Sequence, residues 1–282
     1  MLKQKDLVNN RQWDMLFIFD ACRYDKFNKF KHLMGNGHLE KTKSQSTWTG
    51  QWMLDIFKEG DWKDAIFFSS NPFVNSKGKK VKIFSWYKRL QCLNWFNVNE
   101  VFKEVIDVWD FGFDKQVGTV PPWEMNKAIV KVMEKNKSAR AIVHYGQPHF
   151  PFICCGGGAP ATSMKGIVAK DKFEFKKPLI RISKKLLNDI VLWKIYKNLN
   201  MLPKRGKGAL WFSIGTEGMI QEYEKNLRLV MLYAKKIMDK YPKKKIAITA
   251  DHGDMLGEHN RFGHGWSWYK EKRYVPWFES GD

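Results

Sequence analysis

One short stretch of the sequence concentrates side chains that bind metal ions. Residues 248–265, ITADHGDMLGEHNRFGHG, hold three of the chain's seven histidines together with two aspartates and one glutamate. The stretch begins within the apolar run KIAIT, which predicts a buried strand. Carboxylate oxygens and imidazole nitrogens are the usual protein ligands of divalent cations. We therefore interpret Asp251 and His252, which are adjacent at the strand end, as candidate ligands of one ion.

Two other segments carry residue types that phosphoryl or sulfuryl transfer requires. Asp20 follows the apolar run WDMLFIF and is a third candidate ligand, although an aspartate there can also cap a turn. Residues 44–57, SQSTWTGQWMLDIF, place hydroxyl groups ahead of apolar residues at helical spacing. A hydroxyl on a metal is an activated nucleophile, and a helix N-terminus can hold substrate oxygens. Thr47 and Thr49 both fit this role, and simple N-capping is their alternative role.

Two histidines bracket the segment HYGQPHFPF at the end of a further apolar run. They are His144 and His149. A neutral imidazole can ligate a metal, and a protonated one can bind an anion or donate a proton to a leaving group. A structural role for either histidine stays open at this point.

Several of the candidate site residues follow predicted strands, and the pattern of strands and helices predicts the architecture. Apolar runs at 13–19, 65–70, 139–144 and 245–250 predict buried strands, and helical spacing over 125–133 and 223–238 predicts helices. Alternating helices and strands favour a mostly parallel sheet with helices on both faces. Ligands bind beyond the carboxyl ends of strands in such sheets, so we expect the candidate residues to converge there.

Composition points to a folded domain with an anionic partner. The chain has 282 residues, 44% of them apolar, and a formal net charge of +20. This charge suits nucleic acid, an anionic membrane surface, or a phosphorylated or sulfated substrate. No helix-turn-helix or RNA-binding signature is present, which disfavours nucleic acid. The four cysteines contain no CxxC pair, which argues against a zinc ribbon.

The expected organisation is a single catalytic domain over residues 1–282. The N-terminal segment lacks the apolar centre of a signal peptide, and no apolar stretch is long enough to span a membrane. We therefore expect a cytoplasmic protein, with peripheral membrane association left open. A basic helical insertion is predicted at about 153–216. The basic amphipathic pattern over 176–199 fits a solvated surface helix, a lid, or a docking surface for anionic lipid or polymer.

Taken in order, these motifs resemble a known group of enzymes. Asp20 after a strand, the hydroxyl cluster ahead of a helix, HFPF, and TADHGDMLGEH are similar to the sulfatase-like branch of the alkaline phosphatase superfamily. That branch includes sulfatases, lipoteichoic acid synthases, phosphoethanolamine transferases and phosphonate monoester hydrolases. The resemblance covers nearly the whole chain and implies a doubly wound, alkaline-phosphatase-like α/β core. Its C-terminal subdomain is expected to be reduced, because the sequence ends soon after the last motif.

The resemblance also implies a role for each candidate residue. Asp20, Asp251 and His252 would ligate the metal, together with a threonine that acts as the nucleophile. Thr47 is preferred over Thr49 because it precedes an aromatic residue of the predicted helix, much as the single-metal transferases place a threonine ahead of a helical phenylalanine.

Three further residues complete the predicted site. His149 matches the substrate-binding histidine of the lipoteichoic acid synthase-like enzymes and is also a catalytic candidate. His264 falls where related enzymes place a further histidine or lysine, and Arg23, from FDACRYD, is added to the substrate-binding set.

The resemblance implies one divalent ion, which is Zn, Mn or Ca, and leaves a second open. The paired ligands of a second site have no counterpart before Asp251, although His259 and His264 can rebuild one by another route. The hydroxyl cluster lacks the pattern that formylglycine formation requires. We therefore predict a metal-dependent phosphoester hydrolase or phosphotransferase that acts on an anionic substrate, such as a glycan or lipid head group. The alternatives are a sulfatase-type hydrolase acting on an anionic glycan and a non-catalytic polyanion-binding protein.

Overall fold

A seven-stranded mixed sheet lies at the centre of the protein. The computed structural model describes residues 1–78, 98–155, 188–198, 206–265 and 267–281. The strands are β1 (Met15–Phe19), β2 (Gly37–Lys43), β3 (Trp62–Ser69), β4 (Phe102–Ile106), β5 (Arg140–Tyr145), β6 (Ile246–Thr249), β7 (Met255–Leu256), β8 (Phe262–Gly263) and β9 (Tyr274–Ser280). The sheet order is β2-β9-β6-β1-β5-β3-β4, and β7 pairs with β8 in a separate hairpin. Strands β6, β1, β5, β3 and β4 are parallel neighbours, whereas β9 pairs antiparallel with both β6 and β2.

Helices cover both faces of this sheet. They are α1 (Gln4–Asn10), α2 (Tyr24–Phe30), α3 (Thr49–Phe57), α4 (Val98–Val101), α5 (Val108–Phe111), α6 (Pro122–Met133), α7 (Asp189–Asn198), α8 (Gly206–Lys240) and α9 (Lys270–Arg273). Successive β1 side chains point to opposite faces. Phe17 accordingly belongs to an apolar core with residues of α6 and α8, and Leu16 to a second core with residues of α1 and α3. The predicted α/β fold with a mostly parallel sheet is confirmed.

Four strands of the sheet were predicted, whereas the edge strands β2 and β4 and the inner strand β9 were not. The four predicted strands are β1, β3, β5 and β6, and the two predicted helices lie within α6 and α8. β1 is buried along its whole length, as expected of a strand covered on both faces. β2 is mostly exposed, so it has no apolar run. β9 contains Pro276, and a proline normally argues against a strand that has neighbours on both sides.

Helix α8 has two parts that differ in direction. Gly215 interrupts it with a φ of 66° and a ψ of −173°. The part that follows packs on the sheet, whereas Trp211, in the preceding part, contacts Trp193 of α7 at 5.5 Å between ring centroids. Helix α7 and the start of α8 fall within the predicted insertion at about 153–216. Residues 156–187 and 199–205 of that insertion, which include most of the glycine-rich segment, lie outside the described residues, and the single-domain organisation stays a prediction.

The described helices give no sign of a membrane-spanning segment. None of them is both long and apolar enough to cross a bilayer. The basic pattern predicted over 176–199 is described only from residue 188, where it includes α7. The cytoplasmic location and the peripheral membrane contact stay predictions.

Candidate metal centre and active site

Three parallel strands bring the candidate ligands to one edge of the sheet. Strand β1 lies between β5 and β6, and Ile18 is in register with both His144 and Thr249. Asp20 follows β1 directly, and Asp251 comes two residues after the end of β6. The carboxyl ends of these neighbouring strands therefore place the two carboxylates side by side.

Asp20, Asp251 and His252 form the one cluster of three or more histidine, cysteine or acidic side chains that could hold a metal ion among the residues that the structure describes. One ligand atom from each lies within 4.8 Å of the other two, and all three residues are buried. Nε2 of His252 is 3.8 Å from Oδ1 of Asp20 and 3.4 Å from Oδ2 of Asp251. Those two oxygens have no hydrogen-bond partner within the described ranges. Buried carboxylate oxygens without donors fit a cation site, because such groups are otherwise hydrogen-bonded.

Hydrogen bonds orient both His252 and Asp251. Nδ1 of His252 lies 2.8 Å from the carbonyl oxygen of Gly253, to which its N–H donates, and this leaves the lone pair on Nε2. Oδ1 of Asp251 accepts the backbone N–H groups of Ala21, at 3.0 Å, and of His252, at 2.8 Å. Oδ2 of Asp251 is thereby turned toward His252 and remains available to a metal.

The electrostatics of the group also fit a bound cation. Burial raises the pKa of Asp20, and the negative charges of Asp251 and Asp254 raise it further. Burial lowers the pKa of His252 to about 4, so its imidazole is neutral at neutral pH, as metal ligation requires. Burial also opposes ionisation of Asp251, but the charges and hydrogen bonds of its neighbours outweigh it and lower the pKa. Two buried carboxyl groups and a neutral imidazole leave uncompensated negative charge that a divalent cation would balance.

The two candidate threonines differ in their contacts with Asp20, Asp251 and His252. Thr49 is the first residue of α3, and its Oγ1 lies 3.5 Å from Nε2 of His252. Thr47 is equally buried, but no hydrogen bond joins it to the three candidate ligands in the described part of the chain. The structure thus brings Thr49 to the group, whereas the preferred nucleophile, Thr47, stays a prediction without a contact to support it.

The predicted substrate-binding histidines lie beside the candidate ligands. The ring centroids of His149 and His264 are 5.0 Å apart, and those of His264 and His252 are 4.2 Å apart. Burial lowers the pKa of His149, and the charge of Lys207 lowers it further. The structure therefore brings both histidines together next to the candidate metal centre, and their role in substrate binding stays a prediction.

Two residues that sequence analysis missed complete this cluster. Oδ2 of Asp254 accepts a hydrogen bond from Lys207 Nζ at 3.1 Å, and Oδ1 of Asp254 lies 3.5 Å from His264 Nδ1. Burial raises the pKa of Asp254, but Lys207 and His264 outweigh it, so the pKa is lowered and the carboxylate is ionised. Asp254 belongs to the same DHGD run as the candidate ligands, which was a usable signal. Lys207 carried no such signal, because it lies far from every motif.

Helix α8 holds the turns that carry Asp20 and His149. Tyr223 donates its hydroxyl proton to the carbonyl oxygen of Ala21 at 2.7 Å and accepts the N–H of Arg23 at 3.1 Å. Asn226 donates to the carbonyl oxygen of His149 at 3.3 Å, and the N–H of His149 donates to the carbonyl oxygen of Asp20 at 3.1 Å. These buried polar groups tie the two turns to one helix.

The structure places Arg23 in an ion-pair network. Its guanidinium donates to Asp25 at 2.8 Å and to Glu258 at 2.6 Å, and its side chain is 8% exposed. These contacts connect the turn after β1 to the segment after β7. They favour a structural role, and the predicted role of Arg23 in substrate binding stays a prediction.

His144 lies behind the candidate ligands. Its Nε2 is 3.7 Å from Oδ2 of Asp251, and it is fully buried. Neither ring nitrogen of His144 has a hydrogen-bond partner among the described residues, and a role for this histidine in metal or anion binding stays a prediction.

Gly253 meets the backbone of α9 so closely that a side chain has no room. A Cβ at Gly253 would lie 2.1 Å from the carbonyl oxygen of Glu271. We expect Gly253→Ala to lower the free energy of unfolding by about 1–3 kcal/mol, because the turn after His252 must shift. Urea unfolding measures this. Gly281→Ala is the control, because its Cβ would make ordinary contacts at 3.5 Å, and equal losses in both variants would contradict the prediction.

Comparison with known proteins shows which fold this is. No protein-family model matches the chain, and no curated protein sequence matches it. The structure is similar to the C-terminal periplasmic domain of a phosphoethanolamine transferase from Campylobacter jejuni, with 12% identity, a TM-score of 0.50, and coverage of 94% of this chain and 77% of that one. The soluble domain of lipooligosaccharide phosphoethanolamine transferase A from Neisseria meningitidis gives 11% identity, a TM-score of 0.51, and coverage of 94% and 75%. Phosphonate monoester hydrolase of Agrobacterium radiobacter gives 13% identity, a TM-score of 0.51, and coverage of 95% and 68%. The chain therefore shares its α/β fold with these three enzymes, and this is the fold that its motifs predict.

Proposed function

We propose that the protein is a metal-dependent phosphoester hydrolase or phosphotransferase with Thr49 as its nucleophile. The observation that carries this proposal is the position of the Thr49 hydroxyl, at a helix N-terminus and 3.5 Å from the ring nitrogen of His252. Proteins of the same fold include two phosphoethanolamine transferases and a phosphonate monoester hydrolase. Reactions at phosphorus are therefore carried out by other proteins with this fold.

The chemistry follows from the positions of these groups. A divalent cation held by Asp20, Asp251 and His252 would lower the pKa of the threonine hydroxyl and screen the negative substrate. Thr49 Oγ1 attacks phosphorus, the bond between phosphorus and the ester oxygen breaks, and the phosphoryl group passes to the threonine. The ester oxygen leaves as the alcohol, with the proton that the threonine hydroxyl gives up. Water or an alcohol then takes the group from Thr49 and restores the hydroxyl.

The surroundings of Thr49 suit this step. Thr49 lies at the positive end of the nine-residue helix α3, where backbone N–H groups can hold substrate oxygens. His149 and His264 would contact the same phosphoryl group from the other side, and Oδ1 of Asp254 lies 3.5 Å from Nδ1 of His264.

The donor set favours Zn or Mn over Ca as the metal. Imidazole nitrogen is a common ligand of Zn and the first-row transition metals, whereas Ca is bound by oxygen ligands. His252 presents its neutral Nε2 to the two carboxylate oxygens, which gives a mixed nitrogen and oxygen set. We therefore narrow the metal to Zn or Mn.

Metal removal tests the proposal directly. We expect the purified protein to contain Zn or Mn, and we expect chelation to abolish hydrolysis of aryl phosphates until one of these metals is returned. Elemental analysis and a panel of aryl phosphate monoesters, aryl phosphate diesters and an aryl sulfate measure this. Full turnover by the metal-free protein would contradict the proposal, and turnover of the aryl sulfate alone would favour the sulfatase-type alternative.

A further inference from the structure

The start of helix α8 brings a lysine to the site from outside every motif. Lys207 Nζ lies 3.1 Å from Oδ2 of Asp254. Oδ1 of Asp254 is 3.5 Å from His264 Nδ1, and the His264 ring lies 4.2 Å from that of His252. A short chain of contacts therefore links the ammonium group to a candidate metal ligand.

Gly263 and Phe150 lie close to the ammonium group of Lys207. A Cβ at Gly263 would lie 3.2 Å from Nζ, and the φ of Gly263 is 91°, so a side chain there would crowd the ammonium group and strain the backbone. On another side, the centroid of the Phe150 ring lies 6.0 Å from Nζ. The ammonium group thus lies beside β8, Phe150 and Asp254.

The ion pair has a buried side and an open side. The side chain of Asp254 is 3% exposed and that of Lys207 is 21% exposed. Asp254 is therefore the inner partner, and the ammonium group is nearer to solvent. An ammonium group has three donors, and Asp254 is its one hydrogen-bond partner among the residues that the structure describes. Two donors remain for a ligand.

Other cations close to the site are engaged elsewhere. Arg23 pairs with Asp25 and Glu258, and Lys272 donates to the hydroxyl of Ser267. Lys207 also has a carboxylate partner, but that partner, Asp254, lies 3.5 Å from Nδ1 of His264, whose ring lies 5.0 Å from that of His149. The rings of these two histidines would contact the phosphoryl group of a substrate. The position of Lys207 therefore suits an anionic group that these histidines also reach.

We propose that Lys207 binds the phosphoryl oxygens of the substrate and makes the site select phosphate monoesters over diesters. This inference rests on the proposed function. A monoester carries two negative charges at neutral pH and a diester carries one. Coulombic attraction scales with the product of the charges, so an added cation stabilises the bound monoester more.

The test compares three variants with the parent protein. Lys207→Met removes the charge and keeps the length of the side chain, Lys207→Arg keeps the charge, and Lys236→Met is a control in the same helix, where the ammonium group lies over Tyr233. The measurements are kcat/KM for 4-nitrophenyl phosphate and for bis(4-nitrophenyl) phosphate. Calorimetric titration of the metal-loaded protein with inorganic phosphate gives a readout that does not depend on turnover.

We expect Lys207→Met to lower kcat/KM for the monoester and the affinity for phosphate by about tenfold or more, since a hydrogen bond from a charged group is lost. The diester should lose less, Lys207→Arg should recover part of the loss, and Lys236→Met should match the parent. Lys207→Gln replaces the methionine variant if the latter does not fold, as judged by thermal melting.

The outcomes separate this inference from the proposed function. Equal losses for both esters, or unchanged phosphate affinity in Lys207→Met, would overturn the role of Lys207 while leaving the nucleophile in place. If the parent cleaves neither ester, the proposed function fails, and the phosphate titration still decides whether Lys207 binds the anion. Failure of the parent to bind phosphate would overturn the inference as well.

Discussion

Thr49→Ala is expected to reduce phosphoester turnover by about 10³-fold or more while leaving metal content unchanged. The substitution removes the hydroxyl that lies 3.5 Å from Nε2 of His252, and it leaves the three candidate ligands in place. Alanine is a good helix former, so α3 should still begin at this position. Steady-state kinetics on an aryl phosphate and elemental analysis of the same preparation measure the two effects.

Thr47→Ala is the matched comparison, because it removes the same side chain two positions earlier in the same segment. Both threonines are buried, so a general loss of packing would affect the two variants alike. We expect Thr47→Ala to retain most of the turnover and Thr49→Ser to retain a measurable part of it. Trapping the phosphoenzyme and mapping the labelled peptide identifies the nucleophile directly. Label on Thr47, or full turnover in Thr49→Ala, would restore the choice that the sequence alone favoured.

The sequence predicted the candidate ligands because each of them follows a buried strand. Asp20 comes directly after β1, and Asp251 comes just after β6. Neighbouring parallel strands end at the same edge of a sheet, so the positions of these residues along the chain sufficed to bring them together. The same argument identified His144 and His149, at the end of β5 and just beyond it.

The choice of threonine required information that the sequence does not contain. Thr47 and Thr49 differ by two positions in one run of hydroxyl residues, and either one fits the start of a helix. The structure begins α3 at Thr49, with Trp48 in an extended conformation before it. The first residue of a helix can be located only to within about one or two positions, and this uncertainty equals the spacing between the two threonines.

Charged residues were also hard to assign because their partners lie far away in the chain. Arg23 was predicted to bind substrate, yet its guanidinium pairs with Glu258, which is 235 positions away. Lys207 reaches Asp254 across 47 positions. Ion pairs of this kind depend on how loops and helices pack, and no local pattern of spacing or hydropathy reveals them.

Asp251→Asn is expected to abolish metal binding and turnover while leaving the fold intact. Oδ1 of Asp251 accepts the N–H groups of Ala21 and His252, so the asparagine must keep its carbonyl oxygen there. Its NH₂ group then takes the place of Oδ2, beside Asp20 and His252. This group is a donor where a metal needs an electron pair. We expect at least a 100-fold loss of affinity for Zn or Mn, since removing even an outer partner of a ligand costs about 10–100-fold.

Stability gives a second readout that separates loss of the metal from loss of the fold. The negative charge of Asp251 raises the pKa of Asp20, so the two carboxyl groups repel each other when no cation is bound. The neutral asparagine removes this repulsion and can donate a hydrogen bond to Oδ1 of Asp20, which lacks a partner in the described structure. The metal-free variant should therefore melt at the same temperature as the metal-free parent or above it.

Added Zn or Mn should raise the melting temperature of the parent alone, because a ligand that binds the native state stabilises it. Asp239→Asn, on the exposed surface of α8, is the control and should respond to metal as the parent does. Equal stabilisation of Asp251→Asn and the parent by metal would remove Asp251 from the metal centre.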